Sequence, residues 1–181
     1  MHGTIDIETL DTKPSALILS IGAVKFDPSS SIDPHSELYL KINFDEQINL
    51  NRTISDATLN WWSKQGSDVQ DEAFDQSNAL PIEEALKALS KWSIDIDVFW
   101  GQGYGFDFTI LDDLYKSKKM SSPWNFWQIR DSRTLFSMLE FYKANPKQRL
   151  GIQDNKHNAL KDAYYQSKGI QLAYQEFKLR A

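Results

Sequence analysis

The stretch Thr4-Ile5-Asp6-Ile7-Glu8-Thr9 restricts the rest of the chain more than any other. Side chains alternate faces along a strand, so Asp6 and Glu8 leave one side while Ile5 and Ile7 enter a core on the other. Two carboxylates held so close repel each other. A shared proton, a basic neighbour or a divalent cation must offset that repulsion. A solvated strand edge is the commoner setting for such a pair, so the meaning of these acids depends on what the remaining sequence brings beside them.

The chain has 181 residues, enough for a single domain spanning 1–181 with a substantial core. A hydrophobic content of 41% argues for a folded globule rather than disorder. No apolar run is long enough to span a membrane, and no basic stretch followed by an apolar run marks a secretory signal. Cysteine is absent, which excludes disulfides and thiolate zinc sites and fits a reducing cytoplasm. A metal must therefore sit on oxygen or imidazole ligands. With only three His available, a hard cation such as Mg²⁺ or Mn²⁺ is expected.

The net charge of −5 disfavours nonspecific nucleic-acid binding over the whole surface. The charge is unevenly spread, however. From Lys116 to Lys161 there are ten Lys and Arg against three acids, a local excess of +7. Such a segment serves equally well as a phosphate-binding face or as a set of ordinary solvated helix faces.

Ala16 to Asp27 is strongly apolar and β-branched, and reads as a second strand. A turn cluster through Pro28 and Pro34 leads to a third strand over Glu37–Ile42, so an antiparallel meander is expected. Helical patterns follow from about Ser55, a candidate cap, through Trp61 and Trp62, and from Pro81 to Trp92. Val98-Phe99-Trp100-Gly101 is a short buried strand, and Phe106–Lys118 a helix. Trp124–Ile129 reads as a strand, with helices over Arg133–Tyr142 and Asn158–Phe177. Three strands followed by alternating helices and strands suit an α/β mixed sheet of five or six strands with helices on both faces.

Asp107 starts the helix after the fourth strand, a position where the helix dipole alone is reason enough for an Asp. His157-Asn158-Ala159-Leu160-Lys161-Asp162 is sharper. Asn158 caps the last helix, leaving His157 in the loop before it and Asp162 in its first turn. Together with Asp6, Glu8 and Asp107, these residues form an ordered set spread over nearly the whole chain.

That set resembles the DEDD exonuclease superfamily in its His-containing branch, which has the ribonuclease H-like fold. The segments Asp6-Ile7-Glu8-Thr9-Leu10, Ser20-Ile21-Gly22-Ala23-Val24-Lys25-Phe26, Trp61-Trp62-Ser63-Lys64-Gln65 and Asp131-Ser132-Arg133-Thr134-Leu135 are similar to the subgroup that includes T-even phage exonuclease A and mycobacterial 3′–5′ exoribonucleases.

The resemblance implies a 3′–5′ exonuclease that takes DNA or RNA with a free 3′ end and releases nucleoside 5′-monophosphates, using two divalent cations, Mg²⁺ or Mn²⁺. Asp6, Glu8 and Asp162 would hold the cation beside the attacking water. Asp6 would also reach the second cation, supported by Asp107. His157 would take the proton from water, since an imidazole with an ordinary pKa near 6.5 suits a base at neutral pH. For substrate contacts, Thr9 and Leu10 are expected against the terminal nucleotide and Trp62 with Gln65 against a base, while Arg133 is expected either on a phosphate or paired with Asp131. Where many members of the superfamily have a small residue after the first motif, this chain has Leu10-Asp11-Thr12, which bears on sugar and base preference. A catalytically silent nucleic-acid-binding module on the same scaffold is the contrasting reading. An internal-cutting nuclease is a third. The superfamily often forms homodimers that bring the partner's basic face to the active site, a use the +7 segment fits.

Overall fold

The computed structural model describes residues 1–140 and 157–179. A five-stranded sheet lies at its centre, in the order β3-β2-β1-β4-β5. Strands β1 (His2–Thr9), β2 (Ile18–Phe26) and β3 (His35–Lys41) form the expected antiparallel meander. Strands β4 (Val98–Gly101) and β5 (Ile129–Asp131) run parallel to β1. This mixed sheet, with helices on both faces, is the ribonuclease H-like arrangement.

The alternation in β1 explains the layering. Ile5 and Ile7, with Ile21 and Ala23 across the β1–β2 ladder, pack against α4 (Ile82–Trp92) and α5 (Tyr104–Ser117) through Leu86, Leu89, Phe108 and Leu111. The opposite face, carrying Thr4 and Asp6, is covered by α7 (Ala159–Glu176). There the Ser167 hydroxyl donates to Thr4 Oγ1 at 2.8 Å. A second apolar cluster, including Phe26, Trp100, Leu135, Phe136 and Ile170, joins α7 to α6 (Ser132–Phe136).

Two short helices, α1 (Phe44–Asn49) and α3 (Ser67–Phe74), flank α2 (Asp56–Trp62). The segment 124–129, expected as a strand, is instead a 3₁₀ turn over Phe126–Gln128 that leads into β5. Asn125 and Gln128 close that turn with a reciprocal capping box, and Trp124 is drawn into the core, its Nε1 donating to Asp112 Oδ1 at 3.0 Å. The helix expected over Arg133–Tyr142 is shorter, since α6 ends at Phe136 with Ser137 as its C-terminal cap. Four of the ten basic residues of the +7 segment, Lys143, Lys147, Arg149 and Lys156, lie outside the described residues. Among the described residues no helix is long and apolar enough to cross a membrane.

Candidate active site

The C-terminal ends of β1 and β4 open into a cleft of about 500 Å³, lined by Asp6, Glu8, Asp107, Arg133, His157 and Asp162 together with backbone of the Gly103–Gly105 turn. All five acid and imidazole positions of the ordered set therefore converge, although they come from three elements and one loop.

Each side chain has a local cause. Asp6 and Glu8 are the outward-facing members of β1, and both are half-buried. Asp107 sits in the first turn of α5, and the carboxylate reaches under the end of β4. A Cβ built on Gly101 would meet Asp107 Oδ2 and the Phe108 ring at 3.0 Å, so the absence of a side chain there leaves room for both. Asp107 is buried, and desolvation pushes its carboxyl pKa up to about 7. Backbone N–H donors at Ile7 and Asp107, and the nearby Arg133 guanidinium, work in the opposite direction.

Asn158 caps α7 as its sequence position indicates, its side chain accepting from the Lys161 N–H at 3.1 Å. His157 just before it adopts a left-handed backbone, φ 71°, which turns the chain sharply into the helix. Asp162 is buried in the first turn of α7. One donor atom each from Glu8, His157 and Asp162 lie within 4.8 Å of one another. This clustering of hard oxygen donors and one imidazole, with Asp6 and Asp107 in the same cleft, fits divalent cations.

The structure also holds a contact that sequence patterns do not signal. Gln166, one helical turn after Asp162, donates from Nε2 to Asp6 Oδ1 at 2.7 Å. Its only mark in sequence is a polar residue at helical spacing from an acid on a buried face.

The expected substrate contacts need correction. Trp62 is only 2% exposed, packs with Leu10, Leu17, Leu19 and Ala73, and donates from Nε1 to the Thr9 carbonyl at 3.0 Å. It is a core residue and offers no face to a base. Its neighbour Trp61 is 40% exposed, with its ring edge-to-face against His157 at a centroid distance of 4.5 Å. Two adjacent helical residues point to different sides, and here the second of the pair is the buried one. Gln65, in the turn after α2, folds back on that helix and donates to the Trp61 carbonyl at 3.0 Å. Thr9 and Leu10 are buried as well. The Thr9 hydroxyl donates to the Asp11 carbonyl, and the Leu10 N–H is taken by the Leu17 carbonyl. Arg133 does line the cleft, with Nη2 donating to the Gln102 carbonyl at 3.1 Å. The Asp131 carboxylate accepts from the Arg133 and Gly103 N–H groups, at 2.8 and 3.1 Å, and so anchors the glycine turn to α6.

The model of the 3′–5′ exoribonuclease Rv2179c-like domain matches residues 1–173. The chain belongs to this family. The Rv2179c-like domain is similar in fold to Exonuclease X, solved in complex with 5′ overhanging duplex DNA. That likeness has a TM-score of 0.63 and 16% identity, covering 100% of this chain and 95% of the other. It is similarly close to the nuclease domain of 3′hExo, a DEDDh family member bound to rAMP, with a TM-score of 0.64 and 15% identity over 99% and 94% of the two chains. The RNase domain of the yeast Pop2 protein follows at a TM-score of 0.58 and 14% identity, over 97% and 78%. No curated protein sequence matches the chain. By its family the chain is thus a 3′–5′ exonuclease domain, and it shares its fold with the solved exonucleases above.

Proposed function

We propose that this exonuclease removes nucleotides from the 3′ end of RNA as 5′-monophosphates, with Asp6, Glu8, Asp107 and Asp162 holding two divalent cations, Mg²⁺ or Mn²⁺, and His157 as the general base. The observation that carries this reading is the approach of Glu8, His157 and Asp162 donor atoms to within 4.8 Å, in a cleft shared with Asp6 and Asp107. RNA is favoured because the family is described as exoribonucleolytic.

Bound cations would neutralise charge on the phosphate and on the attacking and leaving oxygens. The protein supplies the rest. His157 accepts a proton from water, whose oxygen then attacks the terminal phosphorus. The bond to the 3′-oxygen of the preceding nucleotide breaks, and that oxygen leaves with the electron pair. Arg133, which lines the same cleft, contributes a cation to a phosphate oxygen. Trp61 takes the stacking role expected of Trp62, a reading supported by its exposed ring edge-to-face with His157. The same reading includes a homodimer in which the basic segment of one copy serves the site of the other. A monomeric mass by light scattering at working concentration would count against that part alone.

Digestion of 5′-end-labelled RNA and DNA of identical sequence, single- and double-stranded, with Mg²⁺ or Mn²⁺ tests the proposal. Stepwise shortening of RNA, lost in His157→Ala, is expected. Faster loss of DNA would reverse the substrate assignment, and cleavage of circular molecules would overturn the exonucleolytic mode.

A further inference from the structure

We infer that Gln166 is a positioning residue for Asp6, a buried amide that fixes the plane of the carboxylate before a cation arrives. The inference rests on the proposed role of Asp6 as a metal ligand.

Gln166 lies four residues beyond Asp162 on α7 and is only 5% exposed. Its amide is held at both ends. Nε2 donates to Asp6 Oδ1 at 2.7 Å, and Oε1 accepts from the Ser132 hydroxyl at 3.3 Å. That hydroxyl also lies 3.2 Å from the Gly101 carbonyl, at the end of β4. Ser132 is fully buried at the start of α6. The amide orientation is therefore determined: its oxygen meets a hydroxyl, and only its N–H₂ can meet a carboxylate. The resulting path, from Ser132 through Gln166 to Asp6, links α6, α7 and β1.

A long polar side chain with several rotors is a poor choice for a buried helix position unless its hydrogen bonds are needed. Anchoring α7 is not that need, since the Ser167–Thr4 hydrogen bond and the close approach of Ala159 to Gly22 already seat the helix on the sheet. Chemically, an amide suits the task. It restrains an ionised carboxylate without neutralising it, as a Lys or Arg would, and one N–H occupies a single lone pair of Oδ1.

Calorimetric titration of the metal-free full chain with Mn²⁺, alongside thermal unfolding and steady-state kinetics, tests this. Gln166→Met should fold with a thermal midpoint near that of the wild type and bind Mn²⁺ about 10-fold or more weakly. At saturating Mn²⁺ its kcat should fall while the substrate KM stays nearly unchanged. Ser132→Ala, which frees the far end of the amide, should show a smaller loss of Mn²⁺ affinity in the same direction. Wild-type Mn²⁺ affinity and kcat in a folded Gln166→Met would overturn the inference. Should that variant not fold, unchanged Mn²⁺ affinity in Ser132→Ala overturns it instead. A wild-type protein that binds no Mn²⁺ would remove the metal-site reading and this inference together, whereas unchanged variants of a Mn²⁺-binding wild type remove this inference alone.

Discussion

Gly22 faces the backbone of Ala159 so closely that a Cβ on Gly22 would come within 2.1 Å of the Ala159 carbonyl carbon. Gly22 is also the cross-strand partner of Asp6. The first turn of α7, which carries Asp162 and follows His157, therefore rests on the strand position next to the first acid of the site. Gly22→Ala puts a methyl group into backbone rather than into a yielding side chain, so α7 must lift. A loss of about 1–3 kcal/mol in urea-unfolding stability is expected, as for other overpacked sites. Exonuclease activity should fall out of proportion to that loss, because Asp162 and His157 move away from Glu8. A variant with wild-type turnover would show that the helix start can shift without disturbing the cleft.

Asp107 links burial to metal dependence. Its carboxyl pKa is raised to about 7 by desolvation, so in the metal-free protein the folded state holds a proton that the unfolded chain releases near pH 4. The sign follows: this group's contribution to stability is full below its unfolded pKa and is lost as pH rises through 7. Asp107→Asn removes the buried charge. Without metal at pH 8, it should be more stable than the wild type. Added Mn²⁺ should reverse the ranking by stabilising the wild type, and the variant should be inactive. Equal metal-free stabilities at pH 8 would count against a charge penalty at this position.

How far the sequence could be read depended on whether neighbouring residues or distant ones set each feature. The alternation in β1 and the cap of Asn158 are local, and both elements form as the pattern predicts. The ordered acids and His157 were legible because their order along the chain survives folding even though their contacts are long-range. Which of Trp61 and Trp62 faces the core was not legible, since adjacent helical residues differ only in the direction of whatever packs beside them, here Leu10, Leu17 and Leu19. Gln166 and Gly22 were missed as site residues for a related reason. Each acts through a partner more than a hundred positions away in sequence, Asp6 and Ala159 respectively.

The two adjacent tryptophans should separate cleanly by experiment. Trp62→Ala removes a buried ring and strands the Thr9 carbonyl, so a loss of about 3–5 kcal/mol in unfolding free energy is expected. Trp61→Ala should leave the unfolding midpoint nearly unchanged and weaken binding of a short RNA by about 1–3 kcal/mol, measured as Kd with the inactive His157→Ala background. If Trp61→Ala binds as tightly as its parent, the exposed ring is not a base platform.

His2 gives the fold a pH dependence separate from the active site. It lies at the start of β1, buried against Phe26, Trp100 and Tyr174, and its Nδ1 accepts from Trp100 Nε1 at 3.0 Å. That hydrogen bond uses the lone pair a proton would need, and burial lowers the imidazole pKa to about 4, from an ordinary value of 6.5. The unfolded chain takes up a proton on His2 as pH falls below 6.5, while the folded chain resists until about pH 4. Stability from this group is thus full above pH 6.5 and lost as pH falls towards 4, a change of about 2 kcal/mol once some solvent access to the ring is allowed for. His2→Asn keeps an acceptor for the Trp100 N–H but does not titrate. Urea unfolding at pH 7, 5.5 and 4.5 should show the wild type losing more stability than His2→Asn across that interval. Parallel losses in the two proteins would mean that His2 takes up its proton in the folded state as readily as in the unfolded chain.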